Sequence, residues 1–221
     1  MRQLLKSLEQ DFLDHSDTDN AIAMAKYMKQ IAPFYGIKSD LRNQLAKDFM
    51  RRIELPEYNS LNEFVRTFWT KDQREWQYVG MGIPLKYKNE WGFEIIELFE
   101  YMIVTKSWWD TVDYIASNLV GMWAKQNEID FVIVMDKWNN SNNIWLIRTS
   151  LIFQLKFKDR TDSELLFKYI DNHKESKEFF IKKAIGWALR QLSKSQPELV
   201  KSFLSRTKLQ PLSIREASKF I

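Results

Sequence analysis

The chain has 221 residues, with no Cys, two His, six Gly and five Pro. This excludes a disulfide scaffold, a thiolate metal site and a cysteine nucleophile, and leaves too few imidazoles for a multi-histidine centre. Gly and Pro together make up about 5% against an average near 12%, too little turn chemistry for a β-sandwich or a Gly-looped nucleotide fold. The formal charge of +4 is unevenly spread. From Lys182 onward nine basic residues are opposed only by Glu198 and Glu216, so this stretch carries +7 and residues 1–181 carry −3, a distribution suited to a polyanionic partner. Nine residues are Trp, an excess that needs a reason.

Taken in chain order, the apolar pattern is helical nearly throughout. Leu4, Leu5, Leu8 and Phe12 share one helical face,. Asp17 to Asn20 form a cap-rich turn before AIAMAKYMKQ, and a loop follows around Pro33 and Gly36,. Ser39 reads as the N-cap of DLRNQLAKDFMRRI, and Pro56 closes the next connection. Further helices are predicted over 61–70, 73–87, 91–104, 109–126, 128–140, 142–157, 162–174, 176–195 and 197–207, with a last one from Ser213. No apolar run approaches the ~20 residues of a membrane span. The amphipathic start lacks a secretory pattern, so a soluble, cytoplasmic protein is expected.

The helices repeat. Aligning Trp76, Trp109, Trp145 and Phe180 gives steps of 33, 36 and 35 residues, each segment following another amphipathic helix. That period, with two helices per unit, predicts an all-α solenoid of stacked antiparallel helix pairs of the HEAT type, whose second helices line a concave face. Nothing marks a boundary, so one domain over 1–221 is expected.

With those anchors as position 0, Asp113 falls at +4, Arg148 at +3 and Trp187 at +7. These offsets form one helical stripe, so Trp109, Asp113, Arg148 and Trp187 should point the same way from three successive repeats. An acid, a base and two indoles on one face suit a site. They also suit a core with a structural ion pair.

The runs IVTKSWWDTVD (Ile103–Asp113), MAKYMKQ (Met24–Gln30), FYGIKSDLR (Phe34–Arg42), NNIWLIRTSLIFQLKFK (Asn142–Lys158), SKEFFIKKAIGWALR (Ser176–Arg190) and PLSIREASK (Pro211–Lys219) resemble the AlkD-like DNA alkylation repair family of DNA glycosylases. The resemblance covers essentially the whole chain. It implies a HEAT-like fold with a basic concave channel for double-stranded DNA. It also implies excision of cationic N-alkylpurines such as 3-methyladenine and 7-methylguanine, without flipping the base into a pocket. The family's catalytic aspartate falls on Asp113, its two indoles flanking the lesion sugar on Trp109 and Trp187, its DNA-backbone arginine on Arg148, and the tyrosine of its second helix on Tyr27.

The chemistry is coherent by itself. An alkylated purine is cationic and departs as a neutral base without a general acid, through an oxocarbenium-like transition state. Asp113 can supply negative charge beside the sugar and orient water. The Trp109 and Trp187 faces attract developing cation. Arg148 would hold a phosphate and keep Asp113 ionised. No lysine is singled out as a Schiff-base nucleophile, so a monofunctional glycosylase is expected. Arg190, three residues after Trp187, and Lys156 are further candidates for phosphate contact. Lys38 and Ser39 open a helix whose N–H groups could also meet phosphate, although a simple N-cap explains them as well. Trp108 and the other Trp residues are assigned to packing, and His15 and His173 to the surface or to helix ends. No metal or cofactor is expected, and the protein is expected to be a bacterial, nucleoid-associated monomer. A non-catalytic DNA-binding module would show steeply salt-dependent binding without excision; a protein scaffold would show neither.

Overall fold

The computed structural model describes residues 2–128 and 130–220, with side chains from Leu5 onward. Among them every regular element is helical, and the chain divides into two compact units, Met1–Gly92 and Phe93–Ile221.

The first unit contains α1 (Arg2–Asp14), α2 (Thr18–Tyr27), α3 (Ser39–Arg52), α4 (Leu61–Trp69) and α5 (Arg74–Gly80). The predicted stripe of α1 is buried at Leu5, Leu8 and Phe12; the Leu4 side chain lies outside the described residues. Phe12 and Phe68 set their rings against Trp76 at 5.2 and 5.8 Å, and all three are fully buried. Asp17 caps α2 by accepting the Asn20 N–H at 2.9 Å,. The loop between α2 and α3 hangs on one carboxylate. Glu75, in the first turn of α5, accepts the N–H groups of Tyr35, Gly36 and Ile37 at 3.1, 3.0 and 3.2 Å. Burial pushes its carboxyl above the ordinary range, against the pull of these donors,. Gly36 has φ +88°, and a Cβ there would lie 2.0 Å from the Asp17 carbonyl oxygen, so only glycine fits.

Several predicted boundaries shift. Ser39 is the first residue of α3 and not its cap: extended Lys38 is the N-cap and makes no side-chain cap bond. The helix expected over 73–87 ends at Gly80 and resumes as a 3-10 turn over Ile83–Tyr87, because Pro84 has no N–H to continue an α-helical ladder. Trp91 lies before its helix, with its indole donating to the Pro84 carbonyl at 3.1 Å. The final helix begins two residues early, at Pro211, whose fixed φ suits a first turn.

The second unit contains α6 (Ile95–Val104), α7 (Trp109–Tyr114), a π-helical segment (Ile115–Val120) running into α8 (Gly121–Gln126), α9 (Phe131–Asn139), α10 (Ile144–Ile152), α11 (Ser163–His173), α12 (Phe179–Leu192), α13 (Pro197–Arg206) and α14 (Pro211–Ala217). The helix expected from Glu128 includes Ile129, which lies outside the described residues. Stacked helix pairs build this unit as the repeat predicts, with α10 at their centre, in contact with α6, α7, α9, α11 and α12. Every residue of α10 from Trp145 to Ile152 is buried. A helix enclosed all round must satisfy its polar side chains internally. Thr149 donates to the Trp145 carbonyl at 2.8 Å, and Ser150 donates to Ile147 at 2.7 Å while accepting from Asn139 at 2.9 Å. Arg148 needs a stronger partner. No described helix is long and apolar enough to cross a membrane.

Candidate active site

The partner of Arg148 is Asp113. Nε donates to Oδ1 at 2.7 Å and Nη2 to Oδ2 at 2.8 Å, a fork-on-fork pair that fixes both side chains. Nη1 donates to the carbonyl oxygen of Phe180, at the start of α12. One guanidinium thus ties α7, α10 and α12 together. Of its five N–H groups two remain, and the residue is only 4% exposed.

Asp113 is itself largely buried, with 15% of its side chain accessible. Burial pushes its carboxyl above the usual aspartate range, and the hydrogen bond and charge of Arg148 oppose that rise,. The carboxylate is therefore mostly withdrawn from water, in a medium where charge acts strongly,. Trp109 stands one turn earlier on α7, at i−4, on the same face. The π-helical segment begins only at Ile115, so this register is undisturbed. Insertions of this kind often accompany functional sites.

An aromatic wall stands behind the ion pair. Trp145 and Phe180 rings lie 4.9 Å apart, and Trp108 meets them at 5.7 and 5.1 Å. The Trp108 indole nitrogen is buried with no hydrogen-bond partner. The nine tryptophans separate here. Trp69, Trp76, Trp91, Trp123, Trp138 and Trp145 are buried. Trp108, Trp109 and Trp187 are half-buried. The assignment of Trp108 to packing fits its ring contacts.

Trp187 lies on α12 with Lys183 one turn before it and Arg190 one turn after. Both cations reach a residue that the sequence did not single out. Glu216 of α14, 6% exposed, pairs with Lys183 at 3.0 Å, Arg190 at 3.3 Å and Lys219 at 2.8 Å. Hydrogen bonds from Lys219 and Lys183 hold its carboxyl well below the usual range, at about 2. Its only trace in the sequence is as one of two acids in a basic stretch, 33 residues from Lys183; no local pattern links them. The approach depends on Gly186, where a Cβ would meet the Glu216 Cβ at 2.5 Å and the Ser213 carbonyl oxygen at 2.8 Å.

The hydrogen bonds of the ion pair involve none of the remaining candidates. Exposed Lys156 reaches the Asn118 side-chain oxygen from the turn after α10. Tyr27, Lys38 and Ser39 belong to the first unit, where Tyr27 is 71% exposed at the end of α2 and Lys38 and Ser39 are exposed at the start of α3. His15 bonds the Asp11 carbonyl on the surface, and His173 ends α11 against the Asn139 carbonyl. Among the described residues no group of three or more His, Asp or Glu side chains could hold a metal ion.

The family model described as DNA alkylation repair enzyme matches residues 8–221. Among solved structures the chain is similar to a predicted DNA alkylation repair enzyme from Enterococcus faecalis, at 31% identity and TM-score 0.87, over 93% of this chain and 96% of that one. It is also similar to AlkD2 from Streptococcus mutans, at 19% identity and TM-score 0.64, over 84% and 92%. A third likeness is to smu.31 from Streptococcus mutans UA159, at 20% identity and TM-score 0.61, over 82% and 98%; these two speak to the fold alone. No curated protein matches.

Proposed function

We propose, from the premise that this chain belongs to the DNA alkylation repair enzyme family, that it is a monofunctional DNA glycosylase acting on cationic N-alkylpurines, of the 3-methyladenine and 7-methylguanine type, in double-stranded DNA. The observation that carries this reading is the Asp113–Arg148 fork. It leaves a largely buried carboxylate, with 15% of its side chain accessible, one helical turn from the half-buried indole of Trp109.

The chemistry follows from the charges. The glycosidic bond of an alkylated purine breaks as the base takes the bonding pair and leaves neutral. Positive charge builds on C1′ and the ring oxygen of the sugar. Asp113 stabilises that charge electrostatically and accepts a proton from the water that adds to C1′. Trp109 and Trp187 offer π faces to the cationic sugar, each worth ~0.5–2 kcal/mol. Arg148 keeps Asp113 oriented and ionised; any hold on a phosphate falls to its two remaining N–H groups. Backbone contact is assigned mainly to the accessible cations Arg190 and Lys156, with Lys38, Ser39 and Tyr27 contributing from the first unit. The mechanism reads charge and sugar, so the base need not enter a pocket. No cofactor takes part. The protein works as a monomer on the nucleoid of a bacterial cytoplasm.

The test is incubation with a methylated duplex, following free bases and strand integrity together. Released 3-methyladenine or 7-methylguanine with intact, abasic strands is the expected result. Tight, salt-sensitive binding without release would replace the enzyme by a DNA-binding module.

A further inference from the structure

The cations beside Trp187 are organised around an anion. Lys183, Trp187 and Arg190 occupy one face of α12 at i−4, i and i+3. A surface built only to attract polyanions would carry no acid here, yet Glu216 sits beneath this face, 6% exposed, and bonds both cations together with Lys219. The cations keep substantial access: 37%, 25% and 47% of the Lys183, Arg190 and Lys219 side chains are exposed. Each therefore offers N–H groups to solvent while one bond anchors it. The anchor is itself rigid. Ser213 Oγ donates to the Lys182 carbonyl at 3.0 Å, and Gly186 allows α14 to close onto α12 at backbone distance.

We infer that Glu216 is a positioning residue, a buried carboxylate that holds Lys183 and Arg190 on either side of Trp187 so that they meet the phosphates flanking a damaged nucleotide. The inference rests on the DNA reading of this same face. It adds a residue that touches no DNA and acts through two that do. The cluster keeps a net charge of +2 with its geometry set in advance. Lysine and arginine side chains otherwise lose rotamer freedom on binding, and a pre-anchored pair avoids part of that loss.

Two views of Glu216 predict opposite signs. If only charge matters, neutralising a surface acid tightens the hold on a polyanion. If Glu216 positions, its loss weakens that hold although the chain becomes more positive. The experiment measures the Kd of a methylated duplex oligonucleotide over a series of salt concentrations. The proteins are wild type, Glu216→Gln, the charge-conserving Glu216→Asp, and the pair Lys183→Gln with Arg190→Gln, with and without Glu216→Gln. Positioning predicts that Glu216→Gln raises Kd about threefold or more and makes the salt slope shallower by about 1. Glu216→Asp, its carboxylate withdrawn by one methylene, also weakens binding. Adding Glu216→Gln to the Lys183/Arg190 pair changes nothing further. Unchanged or tighter binding by Glu216→Gln overturns the proposal. So does an undiminished effect in the absence of both cations, which would mark a merely structural role. Should Glu216→Gln fail to fold, Glu216→Asp decides: unchanged Kd overturns the proposal and weaker binding supports it. A wild-type chain that binds no duplex defeats the DNA reading itself, a result distinct from wild-type binding that the Glu216 variants leave intact.

Discussion

Arg148 holds Asp113 with both edges of its guanidinium, Nε to Oδ1 at 2.7 Å and Nη2 to Oδ2 at 2.8 Å. The two residues are 35 positions apart, one repeat step, and come from α7 and the enclosed helix α10. A pair this buried contributes little net stability against the cost of desolvating both charges. Its consequence is geometric: a carboxylate fixed in orientation, kept partly dry and still partly accessible.

The stability of the pair follows from that balance. Arg148→Met leaves a buried carboxylate without its cation and the Phe180 carbonyl without its donor. It should cost about 3–5 kcal/mol of folding free energy. Adding Asp113→Asn removes the stranded charge and should recover much of that loss. Urea unfolding of the two variants beside wild type gives both numbers.

The pH dependence has a definite sign. Burial raises the Asp113 carboxyl above its ordinary value, so the ionised form needed for catalysis is lost at higher pH than for a solvated aspartate, whose pKa is ~4. Excision should fall with an acid limb above that value. In Arg148→Met, where the opposing pull is gone, the limb should move further toward neutrality. The stability contribution runs the other way. A raised folded pKa adds stability below the ordinary value, and this stability is lost as pH rises through the raised one. Single-turnover rates across pH check the limb.

The tryptophans separate by burial. Trp187→Leu should slow excision about 2- to 30-fold, the equivalent of ~0.5–2 kcal/mol of cation–π attraction, with a smaller loss of stability than a fully buried Trp would give, since the side chain is half-buried. Trp145→Leu, inside the aromatic wall, should lower Tm markedly instead. Rates and melting curves for the two variants distinguish the roles.

Gly186→Ala tests the close approach of α12 and α14. The new methyl would press on the Glu216 Cβ and the Ser213 carbonyl oxygen, costing about 1–3 kcal/mol. Calorimetry should show a lowered Tm. Binding of methylated duplex should weaken with it, because the shift moves Glu216 away from Lys183 and Arg190.

The sequence made legible what depends on period. Helical spacing located the elements, and the 33 to 36 residue steps between anchors placed Asp113 and Arg148 in successive layers, where the structure joins them. Boundaries were less legible where a single backbone feature decides, as Pro84 does in ending a helix that apolar spacing carries through to Tyr87. The π-helical segment after Asp113 left no mark in composition. Glu216 was unreadable for another reason: its role depends on a fold-level contact between α12 and α14, made possible by a glycine whose neighbours are distant in sequence. The phosphate contact of Arg148 is implied by the family resemblance; its place on the enclosed helix was not readable from spacing. Its burial on α10 is what turns the guanidinium inward.

The carboxylate of Asp113 drives excision in the proposed reaction. The most direct test of that role is the single-turnover release of 7-methylguanine from a methylated duplex by wild type and by Asp113→Asn, with circular dichroism confirming that both are folded. Wild type should release the base and the variant should be slower by about 10²- to 10³-fold, the usual effect of removing a preorganised electrostatic group. Equal rates for the two proteins, or no release by either, would contradict it.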